Sequence, residues 1–469
     1  MKIALINITD ANSWFQIGLL CLQAYLKRQM PQHQVDIIEA LFENPVRRVL
    51  AEKYDLVGIS AMTAHYEAAS LLAREIRAVS NAPIILGGVH ISKLPESLRP
   101  CFDVGVVGEG EDTLCELVAL YETSTTPSAD QLAAINGLVF HDGQQLRQTP
   151  PRPPVDLSNY PPLDYSAIHP SYFERKAVNS FGRFGIESFV MTSRGCPFKC
   201  VFCASSHFWN KVRYFPVEWV IAEIKGLEAR GVTLLHFADD LFACNKKRMK
   251  AISEKLRAEH LCERITYDCM GNAHLFDDET CELLKSMNVK VVFFGFESGN
   301  PRVLDYLKCH TSTVEENRAA VELCRRHGLD CWGNILIASP GETLEEMEDS
   351  IRFAAWAKSR GVTRICVAIL VPFPGTPVWQ TALKRGLVGV DMNFDRLKCD
   401  GKEVPAGMFV DDAMKPEFAK LRDRAFALVH TFKWKKAWSL VRDSPWDALK
   451  FTMGAPQALL RHMFVRTEP

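Results

Sequence analysis

Three closely spaced cysteines are the residues of this chain whose types and spacing point to the most specific chemistry. Cys196, Cys200 and Cys203 form a C-x₃-C-x₂-C run. Thiolate sulfur is the usual protein ligand of iron–sulfur clusters. A loop with three thiolates can wrap one face of a [4Fe–4S] cube and leave one iron open to another molecule. The spacing therefore predicts a [4Fe–4S] cluster with one open iron.

Two plainer interpretations of these cysteines are buried packing residues and half of a zinc site. A structural zinc site usually needs a fourth ligand at a characteristic spacing, and the sequence has no second C-x₂-C pair and no H-x₃-H pair. The chain has 15 cysteines, and because Lys2–Ile8 is predicted to be a short buried strand, no secretory signal is expected there. In a reducing compartment such a count favours metal binding, catalysis or packing over disulfides.

The elements that position this loop are alternating strands and helices. Before residue 125 the short apolar segments Lys2–Ile8, Gln34–Ile38, Asp55–Ala61, Pro83–Leu86 and Val104–Val107 alternate with amphipathic segments. This order predicts a doubly wound, Rossmann-like parallel sheet, whose ligands lie beyond the carboxyl ends of the strands. From about residue 186 six more strand–helix repeats predict an open, partial (β/α)₆ barrel.

The predicted domain organisation follows from these segments. Six prolines between Gln148 and Asp164 indicate an extended linker. We predict an N-terminal domain at 1–145, a linker at 146–185, a barrel at 186–389 and a helical C-terminal region at 390–469.

The cysteine loop resembles the CxxxCxΦC motif of the radical S-adenosylmethionine (SAM) superfamily, with Phe202 at the aromatic position. The N-terminal segment, with its run Gly108-Glu109-Gly110-Glu111, resembles the cobalamin-binding domain of the cobalamin-dependent class. The resemblance covers nearly the whole chain. It implies a [4Fe–4S] cluster, SAM and cobalamin as cofactors, and an external one-electron reductant of the flavodoxin or ferredoxin type.

The resemblance also implies site residues. The implied SAM contacts, at strand ends beside the cluster, are Phe202, Asp239, Asp240, Glu297, Ser298, Ile335 and Pro374. The implied cobalamin contacts, at the ends of the N-terminal strands, are Ser60, Thr63, Gly87, Gly88, His90, Gly108, Glu109 and Gly110. Relatives often have an arginine shortly after the third barrel strand, where this chain has Asn272, so the partner of the SAM carboxylate stays open.

Some of these residues have simpler interpretations. Asp239 and Asp240 could cap the following helix. His90 is expected to be a loop contact, with a capping or solvent-exposed histidine as the alternative. The N-terminal sheet has no Asp-x-His-x-x-Gly run, so no histidine is predicted as the lower ligand of cobalt.

The predicted function is methyl transfer from methylcobalamin to an unactivated carbon or phosphorus centre, after hydrogen abstraction by a 5′-deoxyadenosyl radical. The alternative is a radical rearrangement, cyclisation or ring contraction in which cobalamin is not the methyl donor. A non-catalytic redox or corrin sensor is a remote third hypothesis. The sequence does not identify the substrate, since that depends on side chains lining the barrel mouth.

Composition limits the partners. The formal net charge is −1, so no nucleic acid is expected. No apolar run reaches the roughly 20 residues needed to span a bilayer, and a cytoplasmic location is expected. Residues 416–469 are basic and aromatic, with Trp434 and Trp438 on one predicted helix face. They predict a cap on the barrel or, alternatively, a surface for a membrane interface or a lipid-like substrate.

Overall fold

The computed structural model describes residues 1–8, 16–174, 176–178, 184–209, 211–398 and 407–429. Two seven-stranded sheets and one two-stranded ribbon organise these residues. The strands are β1 (Lys2–Asn7), β2 (Gln34–Glu39), β3 (Leu56–Ser60), β4 (Ile84–Gly87), β5 (Val104–Val106), β6 (Leu138–Asp142), β7 (Gln145–Gln148), β8 (Lys176–Val178), β9 (Phe184–Val190), β10 (Ser193–Arg194), β11 (Arg213–Tyr214), β12 (Val232–Phe237), β13 (Thr266–Gly271), β14 (Val289–Glu297), β15 (Asp330–Ile337) and β16 (Arg364–Ile369).

Helices cover the sheets. They are α1 (Ile17–Gln29), α2 (Pro45–Glu52), α3 (Tyr66–Arg77), α4 (Val89–Lys93), α5 (Glu111–Thr123), α6 (Ala129–Ala133), α7 (Ser171–Glu174), α8 (Ala204–Phe208), α9 (Val217–Glu228), α10 (Lys246–Ala258), α11 (Leu261–Arg264), α12 (Asp278–Ser286), α13 (Pro301–Lys308), α14 (Val314–His327), α15 (Leu344–Ser359), α16 (Pro377–Lys384) and α17 (Lys415–Val429). Among the described residues, no helix is both long and apolar enough to cross a membrane.

The N-terminal sheet confirms the predicted doubly wound architecture. Its order is β2-β1-β3-β4-β5-β6-β7, and β1 to β5 run parallel. The antiparallel hairpin β6–β7 was not predicted. All four residues of β7 are exposed, so that strand shows no hydrophobic alternation.

The second sheet confirms the partial barrel with six parallel strands. Its order is β16-β15-β14-β13-β12-β9-β8, with only β8 antiparallel. Local sequence fixes several helix starts, since Thr313 and Thr343 form capping boxes with Glu316 and Glu346. Helix α13, which follows Asn300 directly, was not predicted.

Alternation along the barrel strands defines two faces. Phe294, Phe296, Ile335 and Ile337 pack in the core that also contains buried side chains of the outer helices. Their immediate neighbours on the same strands therefore face the barrel interior.

The proline-rich segment and the C-terminal region connect these layers. Residues 149–164 contain no helix or strand. The Tyr160 hydroxyl oxygen lies 3.2 Å from the Cys21 carbonyl oxygen, and Trp219 Nε1 donates to the Pro161 carbonyl. Helix α17 packs against α15 and β16. Residues 430–469, with Trp434 and Trp438, lie outside the described residues. The predicted domain limits stay predictions.

Candidate functional site

The cysteine loop leaves the barrel after β9 and is closed at its base by the ribbon β10–β11. In this ribbon Ser193 pairs with Tyr214, and Arg194 pairs with Arg213. Gly195 follows with a φ of 100°, and a Cβ there would lie 2.8 Å from the Lys211 carbonyl oxygen. A side chain at this position would therefore both strain the backbone and force the loop open.

Two neighbouring aspartates after β12 hold the start of this loop. The buried carboxylate of Asp239 accepts hydrogen bonds from the backbone N–H and the hydroxyl of both Thr192 and Ser193. The Asp240 carboxylate accepts from Gly195 N at 3.2 Å and from the Ser205 hydroxyl. Neither contact is a helix cap. Asp239 is fully engaged in positioning the cysteine loop, whereas Asp240 lies partly exposed beside it.

The three thiols lie on a backbone anchored to the barrel. Val201 N donates to the Leu307 carbonyl at 3.1 Å, and Val378 N donates to the Val201 carbonyl at 3.2 Å. Burial raises the pKa of Cys196 to about 12 and that of Cys200 to about 11. Iron must therefore displace protons when it binds these sulfurs.

The arrangement fits a cluster, in which each iron takes one thiolate. In the part of the chain that the structure describes, no three His, Cys, Asp or Glu side chains converge as ligands of a single metal ion. In addition to burial, the charges of Cys200 and Cys203 raise the pKa of Cys196, so the three thiols lie near one another, as ligands of one cluster must. The cluster-ligand role of the three cysteines remains a proposal.

Glu297 ends β14 in a conformation that non-glycine residues rarely adopt. Its φ is 59°, and such outliers persist where surrounding contacts hold them, often at functional sites. The carboxylate is buried and lies 3.3 Å from Lys308 Nζ. Burial opposes the charge on Lys308, but Glu297 raises its pKa, so the side chain stays an ammonium.

Lys308 is a functional candidate that the sequence analysis missed. It ends α13, and Leu307 beside it holds the backbone of the cysteine loop through its carbonyl. The charge of Lys308 lowers the pKa of Cys200, against the larger effect of burial. A buried cation between Glu297 and the cluster cysteines fits the carboxylate partner that Asn272 left open. The spacing of eleven residues from Glu297 carries no general signal, so only the fold reveals it.

Three other predicted SAM residues lie differently from expectation. Ser298 is fully buried, and its hydroxyl pairs with that of Ser350 at 2.9 Å. Ile335 faces the helices, whereas the adjacent Leu336 packs on the opposite side in the same cluster as Phe202. Because strand side chains alternate, the Ile335 side chain does not face the barrel interior, and its contact with SAM stays a prediction. Pro374 is buried in the loop before α16.

A cleft lies at the carboxyl ends of the N-terminal strands and encloses about 890 Å³ of space open to solvent. Six of the eight predicted cobalamin residues line it: Ser60, Gly87, Gly88, Gly108, Glu109 and Gly110. A Cβ at Gly87 or at Gly108 would meet no atom within 4 Å. Apolar side chains, including Leu5, Ile59 and Ile85, form most of the remaining wall. Open backbone and apolar walls fit a large cofactor with an apolar surface.

Thr63 and His90 are not among the residues of this cleft. His90 is fully buried, stacks on Tyr66 with ring centroids 4.0 Å apart, and contacts Phe394 edge-on. Its ring nitrogens pair with the hydroxyls of Thr63 and Ser97. Burial lowers the pKa of His90 to about 3. His90 is therefore not a loop contact. It is a buried, neutral histidine on α4 that packs against Tyr66 and Phe394.

The cleft also reaches the barrel. Met191, Arg194, Phe208 and Trp209, all from the end of β9 or the cysteine loop, line it together with the N-terminal residues. The cleft and the cysteine loop are therefore adjacent.

Comparisons with known proteins agree with this geometry. Residues 190–354 match the family model of the radical SAM superfamily, and residues 3–118 match that of the B12 binding domain. An uncharacterized methyltransferase of Pyrococcus horikoshii is 32% identical over 390 residues, covering 81% of this chain and 80% of the relative.

Two further similarities are informative. An anaerobic magnesium-protoporphyrin IX monomethyl ester cyclase of Cereibacter sphaeroides is 27% identical, covering 73% of this chain and 56% of the relative. The radical SAM methyltransferase TsrM of Kitasatospora setae, solved with tryptophan substrate and a SAM analog, superposes with a TM-score of 0.72. It is 21% identical and covers 92% of this chain and 89% of its own, so it supports the fold. This chain belongs to the cobalamin-dependent class of the radical SAM superfamily.

Proposed function

We propose that this protein is a cobalamin-dependent radical SAM methyltransferase that modifies a small molecule at an unactivated carbon or phosphorus centre. The observation that carries the proposal is the shared cleft. Gly87 and Gly108 of the N-terminal sheet line it together with Arg194 and Trp209 at the cysteine loop. The cobalamin cleft thus reaches the base of the cysteine loop, and cofactors held in adjacent sites can act on one substrate.

Each site has a defined set of side chains. Cys196, Cys200 and Cys203 would hold the cluster, and Asp239 keeps their loop in place. Glu297 and Lys308 present an anion and a cation beside it, which suits the polar groups of SAM. When bound, the cluster and SAM supply a radical that abstracts hydrogen, and cobalamin supplies a methyl group.

The inner face of the barrel also carries an aromatic and basic patch, which lies towards the amino ends of β15 and β16 and away from the cysteine loop. Phe293, Trp332 and Arg364 lie side by side on β14, β15 and β16. The Trp332 ring contacts Phe293 edge-on at 4.8 Å, and the Arg364 guanidinium lies 4.8 Å from the Trp332 ring centroid.

Two hydrogen-bond donors of this patch, Trp332 Nε1 and the Arg364 guanidinium, have no carboxylate partner among the described residues. Trp332 Nε1 has no hydrogen-bond partner. Arg364 is exposed, and no described carboxylate forms an ion pair with it.

Ring closure without methyl donation is the second candidate function. One relative carries the name of a cyclase, as noted above, and the same cofactors can serve either reaction. The sensor hypothesis is weaker, because Asp240 and Glu297 stand beside the cysteine loop with the buried Lys308.

The two enzymatic candidates are separated by tracing the SAM methyl group. The reduced holoprotein is incubated anaerobically with SAM carrying a labelled methyl group, and the corrinoid is extracted for mass spectrometry. A methyltransferase should place the label on the corrinoid. Release of 5′-deoxyadenosine with an unlabelled corrinoid would favour ring closure or rearrangement.

The remaining partners are proposed from sequence and chemistry. The cluster needs an external one-electron reductant of the flavodoxin or ferredoxin type, and a cytoplasmic location would provide it. A lipid-like substrate or a peripheral membrane contact through residues 416–469 rests on the basic and aromatic composition of that segment.

A further inference from the structure

Two arginines at the base of the cysteine loop form ion pairs with the Gly108–Glu111 loop, which follows β5 of the N-terminal sheet. Arg194 and Arg213 face each other across the ribbon β10–β11, so they bracket residues 195–212. Their side chains are 5% and 13% exposed. Their partners are Glu109 and Glu111, which follow β5 and are equally buried.

The ion pairs form one connected cluster. Arg194 Nη2 lies 2.7 Å from Glu111 Oε1, and Arg194 Nη1 lies 3.5 Å from Glu109 Oε1. Arg213 donates to both carboxylate oxygens of Glu109, one of them at 3.2 Å. Two positive and two negative charges therefore balance in a buried space, where an unpaired charge would be costly.

The proline-rich linker completes the cluster. Tyr160 donates its hydroxyl hydrogen to Glu111 Oε1 at 2.9 Å, and its ring lies 5.4 Å from the Arg194 guanidinium. Val155 N donates to Glu109 Oε2, and the Val155 carbonyl accepts from Arg213 Nη1, both at 2.7 Å. N-terminal sheet, linker and cysteine loop thus meet in one set of contacts.

This arrangement changes the interpretation of Glu109. The carboxylate was predicted to contact cobalamin, but its oxygens are taken by Arg194, Arg213 and Val155. Gly108 and Gly110, on either side, line the open cleft. One short loop therefore offers its backbone to the cleft and its carboxylates to the cysteine loop.

We propose that Glu109, Glu111, Arg194 and Arg213 form an ionic clasp that couples occupation of the cobalamin cleft to the position of the cluster loop. The four are positioning residues. A ligand that orders the Gly108–Glu111 loop also fixes the base of the cysteine loop, and a bound cluster orders the Gly108–Glu111 loop in return. Such coupling is reciprocal by thermodynamic necessity. The inference rests on the proposed cofactor sites.

The test is the affinity of the full-length chain for hydroxocobalamin, measured anaerobically with and without a reconstituted cluster. In the wild type the cluster should tighten binding by about fivefold or more. In Arg213→Gln the two dissociation constants should move closer together, because only the Arg194 pairs of the clasp remain, whereas Arg213→Lys should keep more of the difference. Arg99→Gln removes a bidentate pair between Glu67 on α3 and the segment that precedes β5 and should keep the wild-type ratio.

Several results would overturn the clasp. Equal affinities in the wild type do so without any variant, as does an unchanged ratio in Arg213→Gln. If circular dichroism shows that Arg213→Gln does not fold, Glu109→Gln is judged by the same ratio. Failure of the wild type to bind hydroxocobalamin overturns the proposed function as well, whereas binding without coupling overturns only the clasp.

Discussion

The two parallel sheets of this protein both present a candidate cofactor site at the carboxyl ends of their strands, but they build it from different material. The barrel uses reactive and charged side chains: three thiols, Asp240, Glu297 and Lys308. The N-terminal cleft uses open backbone at Gly87 and Gly108 and apolar walls, and the carboxylate of Glu109 is engaged in ion pairs with Arg194 and Arg213. A single substitution of a ligating side chain should abolish cofactor binding in the barrel. In the N-terminal cleft, where backbone and apolar walls form the site, a single substitution should only reduce the affinity.

The largest expected effect is loss of the cluster from the barrel. Cys200→Ser removes one of three thiolates, and we expect the iron content to fall from about four per chain to near zero. Hydroxocobalamin binding should survive, weakened only by the coupling of the clasp. Iron analysis and absorption spectroscopy measure both.

Cys262→Ser is the control for this prediction. Cys262 is a partly buried thiol on α11, away from the cysteine loop, and its loss should leave the iron content unchanged. Retention of a full cluster in Cys200→Ser would contradict the assigned ligands.

The next effect concerns the buried cation of the barrel. Lys308→Met should weaken SAM binding by about 10- to 100-fold, since a charge-assisted hydrogen bond contributes about 1.5–3 kcal/mol. It should also destabilise the fold by about 3–5 kcal/mol, because Glu297 stays buried without its partner. Equilibrium dialysis and thermal unfolding measure the two effects.

A double variant separates binding from folding. Lys308→Met with Glu297→Gln removes both charges and should recover most of the stability without recovering SAM affinity. Lys246→Met, which removes exposed pairs with Asp277 and Glu279, is the control. Wild-type affinity in Lys308→Met would show that Lys308 does not contact SAM.

A graded effect is expected in the N-terminal cleft. Gly87→Leu fills open space, and its φ does not need to be positive, so the fold should tolerate it. Overpacking a site costs about 1–3 kcal/mol, which corresponds to a hydroxocobalamin affinity weaker by about 5- to 150-fold. Gly226→Leu on α9, where a Cβ also meets open space, should leave the affinity unchanged. Equal affinity for Gly87→Leu and wild type would place the corrin elsewhere.

The smallest expected effect concerns the dependence of stability on pH through His236 on β12, which has no proposed role in cofactor binding. Burial would lower the pKa of His236, but hydrogen bonds to Asp268 and Glu187 raise it to about 9. The folded-state pKa thus lies above the unfolded value of about 6.5. The stabilisation is complete below pH 6.5 and is lost as the pH rises towards 9, by about 3 kcal/mol at most.

Thermal unfolding at pH 6.5 and pH 9 checks this linkage. The wild type should lose a few degrees of Tm across this range. His236→Gln, which cannot titrate, should lose less. Parallel losses in the two proteins would rule out His236 as the cause.

The same contrast explains what the sequence could predict. The six barrel strands and five parallel N-terminal strands were predicted from apolar segments that alternate with amphipathic ones. The spacing of Cys196, Cys200 and Cys203 predicted an iron–sulfur cluster. The β6–β7 hairpin gave no signal because β7 is exposed on both faces.

Site residues were harder to predict where position rather than residue type decides the role. Ile335 and Leu336 are equally apolar, and only the pairing of β15 shows which one faces the interior. His90 looked like a loop residue after Gly87-Gly88, but α4 begins at Val89 and buries it. The proposed roles of Lys308, Arg194 and Arg213 arise from contacts between segments far apart in sequence, and no local sequence pattern indicates such contacts.

The most direct test of the whole account is cofactor stoichiometry in one chain. The protein is purified without oxygen from cells supplied with iron and cobalamin, iron and corrinoid are quantified, and SAM-dependent release of 5′-deoxyadenosine is measured. The account predicts about four irons and one corrinoid per chain, with 5′-deoxyadenosine formed after reduction. A full complement of iron with no corrinoid, even after reconstitution, would contradict the two-site account and remove methyl transfer from cobalamin as the function.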